Sequence, residues 1–340
     1  MAAKFKVISL GKLGSASLTT EEKELAGVPG GVEVVGARPT NEDEMIAVAK
    51  DADAILGGGR FLTPRVMAAL PKLRMIGTYS VGYDTLNIEA ATANQIIVVN
   101  NPALYWCIEE VANHALTLLL ASAKKLVLLN NLVKAGRWGE TRQVMAPMAP
   151  VHGQTLGIVG CGNIGRRVAS KAPVFGLQVL GYDPYVDRTP ANDAGITLMS
   201  DLHGMLRECD FVTVHALLND ETRHMVGEKE FHQMKPTAYF INTARGAIVD
   251  EPALIKALQE KTIAGAGLDV FEKEPMAPDN PLLKMDNVVV VPHSASMSDA
   301  ALDVQAFNPS REVARVLSGR WPKNVVNEGV KPKVNLIRED

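Results

Sequence analysis

The sequence predicts an α/β protein with two parallel-sheet domains, the second inserted into the first. Three observations predict it. Apolar, β-branched runs alternate with helical patterns along most of the chain, the order that gives parallel sheets with right-handed crossovers. A strand, a glycine turn, a helix and a second strand follow one another without interruption from Thr155 to Asp183. The 340 residues leave room for two domains of ordinary size.

In the first hundred residues, Phe5–Leu10, Val32–Ala37, Ala54–Leu56, Met75–Tyr79 and Ile96–Asn100 read as strands. Glu21–Ala26, Asn41–Lys50, Thr63–Leu70 and Asn87–Asn94 read as helices. Thr20 before Glu21-Glu22-Lys23 and Thr40 before Asn41-Glu42-Asp43-Glu44 are the expected N-caps. This half has no glycine fingerprint. Asn101-Pro102 breaks the pattern, and one long helix is expected from about Leu104 to Leu128. Residues 131–152 lose periodicity. Their apolar residues, Trp138, Met145, Pro147, Met148 and Pro150, suit either a loop packed on its own domain or an arm that joins two subunits.

The stretch from residue 155 is the most informative. Leu156–Val159 reads as a buried strand, a helix runs to about Phe175 with Gly176 as its stop, and Gln178–Tyr182 reads as the next strand. Between strand and helix stands Gly160-Cys161-Gly162-Asn163-Ile164-Gly165. Gly160 permits the tight turn, Gly162 lets a pyrophosphate approach the backbone, and Gly165 lets the helix pack on the strand. The helix N-terminus then faces the phosphates. Asp183 stands about 18 residues past the last glycine, where an acid accepts from the adenosine ribose. Its charge repels a 2′-phosphate, so NAD is expected rather than NADP, although Arg188 is close by in sequence.

Beyond it, Phe211–His215, Ala238–Asn242, Gly265–Asp269 and Val288–Val291 read as strands. Asp201–Arg207, Glu228–Gln233 and Glu251–Gln259 read as helices, followed by one helical stretch, Asp299–Leu317. The tail to Asn327 is expected to return to the first domain.

Composition narrows the function. With 47% hydrophobic and 21% charged residues the chain reads as an ordinary soluble protein. A net charge of -3 gives no basic field for nucleic acid. No apolar run is long enough for a bilayer. Lys4 and Lys6 precede a short apolar run that suits a first strand better than a signal peptide. The three cysteines, Cys107, Cys161 and Cys209, are scattered and the seven histidines show no metal spacing, so a reducing cytoplasm and no metal are expected.

Three ionisable residues follow predicted strands on the edge where open α/β sheets bind ligands. They are Arg245 after FINTA, Glu274 in GLDVFEKE and His293 after VVVVP. Singly, they could be a turn arginine, a solvated acid and a strand-end histidine. Together they suit one reaction: an arginine for a carboxylate, and an acid–base histidine oriented by a glutamate.

GCGNIG, YDP, NTARGAIVDEPALIKAL, AGAGLDVFEKEP and VPHSAS stand in order and resemble the D-isomer-specific 2-hydroxyacid dehydrogenase family, as do SVGYDTLNIEAA and the closing VVN. IEEVANHAL and HALLNDET look most like the branch containing the C-terminal binding proteins. The resemblance implies two Rossmann-like domains with parallel sheets. The NAD-binding domain, 102–295, is inserted into a split substrate domain, 1–101 plus 296–340. It also implies a homodimer with an arm at about 131–152. The implied chemistry interconverts a 2-oxo acid and a D-2-hydroxy acid, with Arg245, Glu274 and His293 as the catalytic trio. Val81 and Gly82, with Arg245, would hold the substrate carboxylate. Gly160, Gly162, Asn163, Ile164, Gly165, Asp183, Ala216, Asn219, Thr222, Thr243, Ala244, Asp269 and Ser296 would contact NAD, with Asp269 near the carboxamide.

The chain departs from the family at Asn113, where glutamate is usual, and at Ser294-Ala295-Ser296. Tyr79, Tyr83, Tyr105, Trp106 and Met297 are the candidates for the substrate's side chain, with helix packing the alternative for Tyr105 and Trp106. A dinucleotide-sensing binding protein of corepressor type is the competing expectation.

Overall fold

The computed structural model describes residues 4–11, 17–59, 61–101 and 105–338. The chain divides into two compact units, Met1–Trp106 with Met297–Asp340, and Cys107–Ser296. Each carries its own parallel sheet. In the first, β1 (Phe5–Ser9), β2 (Val32–Gly36), β3 (Ala54–Leu56), β4 (Met75–Gly77) and β5 (Ile97–Val99) take the order β2-β1-β3-β4-β5. In the second, the seven strands are β6 (Thr155–Val159), β7 (Gln178–Tyr182), β8 (Thr197–Leu198), β9 (Phe211–Val214), β10 (Tyr239–Asn242), β11 (Gly265–Leu268) and β12 (Val288–Val290). Their order is β12-β11-β10-β9-β6-β7-β8. These are the two Rossmann-like sheets that the alternating pattern predicts.

The strands are short and apolar because helices cover both faces. Ile8, Ile55, Ile76 and Val98 pack with Met45 and Val66 on one face. Val7, Ala54, Leu56, Met75 and Ile97 pack with Val313 and Val316 on the other. In the second sheet Leu156 and Ile158 lie in one core cluster, and Val159, Val212 and Phe240 in another. Adjacent residues of one strand therefore serve opposite faces.

Several local expectations change. The first helix begins at Thr19 with Leu18 in the cap position and no side-chain cap, so Thr20 lies inside it. Asn41, not Thr40, caps the helix Glu42–Ala49: its side chain accepts the Glu44 N–H, while Thr40 donates to the Glu44 carboxylate. The long helix is two helices, Tyr105–Ala123 and Leu126–Lys134, bent by 62°. Leu104 lies outside the described residues. The break sits at Lys125, whose φ of 50° ends the helical ladder. Both lysines at the bend are held from a distance: Lys124 Nζ donates to Ala149 O and Lys125 Nζ to Val144 O. The segment expected to lack periodicity contains the end of that second helix, a 3-10 turn at Trp138–Glu140 and a helix at Thr141–Met145. Asp299–Leu317 is likewise two helices, Asp299–Gln305 and Phe307–Leu317, and Pro309 sits in the first turn of the second, where its missing N–H costs nothing. The helix Arg188–Asp193 and β8 have no counterpart in the sequence reading. No single helix among the described residues is long and apolar enough to cross a membrane.

The tail is sewn to the edge of the first sheet. Val326 N donates to Val98 O. The buried Asn327 accepts from Val98 N at 2.9 Å and donates to Ile96 O and Thr92 Oγ1. An alanine here would leave buried backbone groups of β5 without partners. Asn327→Ala is expected to destabilise the protein by about 2–3 kcal/mol in urea unfolding; a loss within about 0.5 kcal/mol, typical of an ordinary surface site, would show that the tail contributes no such constraint.

Candidate active site

The second sheet reverses its order at β6, which lies between β9 and β7. That reversal opens a crevice at the carboxyl ends of the strands, the place where open α/β sheets bind ligands. Gly160 ends β6 there with φ 91°, and a Cβ on it would lie 2.4 Å from Ala216 N, just past β9. A Cβ on Gly165 would lie 2.2 Å from Gly160 O, so the helix Asn163–Lys171 rests directly on the turn. Gly162 has no atom within 4 Å of a built Cβ. Open backbone at a helix N-terminus, braced from below by two crowded glycines, fits a diphosphate.

The other expected cofactor positions differ in what they touch. Asn163 Oδ1 accepts from Arg166 Nη2, and Ile164 is partly exposed on the first turn of the helix. Asp183 Oδ2 accepts from Cys161 N at 2.9 Å, while its Oδ1 accepts from Tyr185 N at 2.9 Å and Val186 N at 3.2 Å. A carboxylate has about four acceptor positions. Asp183 thus keeps one for a ribose hydroxyl while it braces the glycine turn. Asn219 and Thr222 close a turn on one another: Asn219 Oδ1 accepts from Glu221 N and Thr222 N, and Thr222 Oγ1 donates to Leu217 O. Thr243 is buried, and its hydroxyl has no partner among the described residues, a polar atom suited to a bound group. Ala244 N donates to Asn242 Oδ1.

Asp269 has no exposed surface. Its Oδ1 accepts from Ser294 N at 2.7 Å and its Oδ2 from Ala295 N at 3.0 Å. His114 Nε2 stands 3.6 Å from Oδ1. This carboxylate pins the turn that carries His293. His293 needs that support. Its φ is 51°, a left-handed conformation that costs a non-glycine residue about 1–2 kcal/mol, and its N–H donates to Asp269 O at 2.8 Å.

Held in this way, His293 Nδ1 lies 2.7 Å from Glu274 Oε2, and Glu274 Oε1 accepts from Phe271 N at 3.0 Å. Assigned from this network, Nδ1 carries a proton to the carboxylate and Nε2 is left for another partner. The hydrogen bond from Glu274 raises the His293 pKa, against the opposing effects of burial and of the Arg245 charge. Burial raises the Glu274 pKa, but the bonds from His293 and Phe271 N outweigh it and hold the carboxyl below its usual value.

Arg245 follows β10. Asn242 Nδ2 holds its carbonyl at 2.9 Å, and its Nη1 donates to Ala244 O. Gly246 next to it has no room for a side chain: a Cβ would lie 1.9 Å from the Phe271 carbonyl carbon. The backbone after Arg245 therefore presses on the loop that carries Glu274, and the Arg245 charge acts on both His293 and Glu274. Sequence spacing gave no sign of this contact. Near it, burial pushes the Cys107 thiol up to about 11, against the lowering effect of the Arg245 charge.

In the first unit, the Val81–Gly82 loop is tied down by its carbonyls. Ser80 O accepts from Thr78 Oγ1 and Asn101 N, Val81 O from Asn100 Nδ2, and Gly82 O from Ser80 Oγ. Tyr79 does not line a side-chain pocket. It is buried, with its hydroxyl bonded to Glu21 and Ser9. Tyr83, Tyr105 and Trp106 are exposed, Met297 is partly exposed, and the Tyr105 and Trp106 rings meet edge to face at 5.5 Å. Asn113 accepts from Lys171, and Glu109, one turn earlier, pairs with Lys171 and Arg167. Among the described residues no group of three metal-ligating side chains occurs.

Residues 116–295 match the profile described as D-isomer specific 2-hydroxyacid dehydrogenase, NAD binding domain. A glyoxylate reductase from Korarchaeum cryptofilum is 40% identical over 297 residues, 86% of this chain and 88% of that protein. Two solved structures are similar throughout. The NADPH-dependent glyoxylate/hydroxypyruvate reductase from Sinorhizobium meliloti aligns with TM-score 0.80 and 30% identity over 95% of this chain and 98% of that one. The D-lactate dehydrogenase from Aquifex aeolicus, complexed with NAD and lactic acid, aligns with TM-score 0.75 and 29% identity over 92% and 94%. On the profile match and on identity that extends over most of both chains, the protein belongs to the D-isomer specific 2-hydroxyacid dehydrogenase family.

Proposed function

We propose that this protein reversibly reduces a small 2-oxo acid to the D-2-hydroxy acid with a nicotinamide dinucleotide. The observation that carries the proposal is the Glu274–His293 hydrogen bond of 2.7 Å, at the same strand edge as Arg245 and the glycine turn. When bound, the dinucleotide supplies the hydride. Gly160, Gly162 and Gly165 would hold its diphosphate, and Asp183 one ribose hydroxyl, which favours NAD over NADP. A structurally similar enzyme is described as NADPH-dependent and another was solved with NAD, so both nucleotides belong in the assay.

The chain's own residues do the rest. Arg245 offers a fixed cationic fork to the substrate carboxylate and polarises the neighbouring carbonyl. Val81 and Gly82 are proposed as backbone holders of that carboxylate. Protonated His293 donates from Nε2 to the carbonyl oxygen, and in the reverse direction takes the hydroxyl proton. Glu274 stabilises the imidazolium. Because the His293 pKa is raised, the proton donor persists to higher pH than in an ordinary histidine, and reduction declines as pH rises through that pKa. Oxidation, which needs neutral His293, improves over the same range. The relatives' names favour glyoxylate or hydroxypyruvate as the first substrates to test. No observation favours the corepressor alternative.

Purified protein with NADH or NADPH and a panel of glyoxylate, hydroxypyruvate, pyruvate and bulkier 2-oxo acids tests the reading. Oxidation of the nucleotide with at least one small acid is expected; none with any acid would overturn it. In the same assay His293→Ala should lower kcat by roughly 10²–10⁴-fold with nucleotide binding retained. Arg245→Ala should damage kcat and KM together, since the carboxylate is held in ground and transition states alike.

The proposed assembly is a homodimer joined through the arm at about 131–152, where Trp138 is 73% and Met145 45% exposed. Light scattering should report a weaker dimer for the Trp138→Ala, Met145→Ala double variant. An unaltered particle would remove the arm from the interface.

A further inference from the structure

β6 lies between β9 and β7 in the sheet, and the loops that leave those two neighbours meet. Tyr185, two residues past Asp183 at the end of β7, donates its hydroxyl to Glu221, in the turn after β9. The glycine turn at the end of β6 is thus flanked by two loops that are joined to each other. Both ends of the link are anchored. The Tyr185 backbone N–H is held by Asp183 Oδ1 at 2.9 Å. The Glu221 backbone N–H is held by Asn219 Oδ1 at 3.0 Å, in the turn that Thr222 closes. One tyrosine therefore binds an acid at each end, Asp183 through its amide and Glu221 through its hydroxyl.

We infer that Glu221, held by Tyr185 beside the Asp183 loop, is a second acid that selects against a 2′-phosphorylated dinucleotide. The inference rests on the proposed use of a nicotinamide dinucleotide and deepens it. Three backbone amides leave Asp183 one acceptor position, so a second carboxylate close by adds to its repulsion of a phosphate. Glu221 is exposed, with its charge shared with a phenol rather than a cation. A phosphate dianion brought to the end of β7 would meet both carboxylates, whereas a ribose hydroxyl would meet no such repulsion. Arg188, five residues past Asp183, stands at the start of the following helix and is accompanied by Asp187, and Arg223 lies two residues past Glu221.

Equilibrium binding of NADH and NADPH, followed by nucleotide fluorescence, tests this directly. Glu221→Gln keeps the shape and removes the charge. It is expected to improve NADPH binding relative to NADH by roughly three- to ten-fold at low salt, the size of effect for a screened charge acting on a dianion. Tyr185→Phe removes only the hydroxyl that holds Glu221 and should shift the ratio in the same direction by a smaller factor. Both residues are exposed, so neither change threatens the fold. If the NADH to NADPH affinity ratio stays at its wild-type value in Glu221→Gln, the inference is overturned while the dinucleotide reading stands. If the wild-type protein binds neither nucleotide, that reading fails and this inference fails with it.

Discussion

A carboxylate without exposed surface, Asp269, fixes the geometry on which the candidate site depends. It spends both oxygens on the amides of Ser294 and Ala295, and its own carbonyl accepts the N–H of His293. Those bonds make a left-handed histidine tolerable, and the left-handed turn points the imidazole at Glu274. The order of dependence is physical: a buried acid needs donors, the turn supplies them, and the turn then determines which histidine nitrogen is committed. Nδ1 goes to Glu274, and Nε2 remains for chemistry.

Close backbone packing supports the same site from the other side. Gly246 lets the strand-end loop of Arg245 touch the loop of Phe271 and Glu272. The arginine and the glutamate arrive together because two backbones are in contact with no side chain between them. At β6 the same device recurs, with Gly160 against Ala216 and Gly165 against Gly160. Rigid strand ends and crowded glycines preorganise charged groups whose assembly would otherwise cost entropy and hydration at the moment of reaction.

Much of this was legible in the sequence. The glycine turn and β7 are where the strand–turn–helix–strand pattern put them, and Glu228–Gln233 and Glu251–Gln259 are helices to the residue. Buried parallel strands announce themselves as apolar runs, and glycines mark turns. The bend at Lys125 did not announce itself, because a left-handed lysine carries no mark and is held by carbonyls about 20 residues away. Tyr79 read as a pocket residue, since nothing local reveals that Glu21 and Ser9 capture its hydroxyl in the core. The motif order identified Arg245, Glu274 and His293 as candidates; the bonds of Asp183 and Asp269 to backbone amides appear only when distant loops are brought together.

The central claim is that the bond from Glu274 raises the His293 pKa. Its most direct measurement is the titration of His293 by NMR in the free protein, wild type beside Glu274→Gln. The account predicts a His293 pKa above the ordinary value of about 6.5 in the wild type and a lower one in the variant, with the fold unchanged. A wild-type value at or below the ordinary one, or the same value in both proteins, would contradict it.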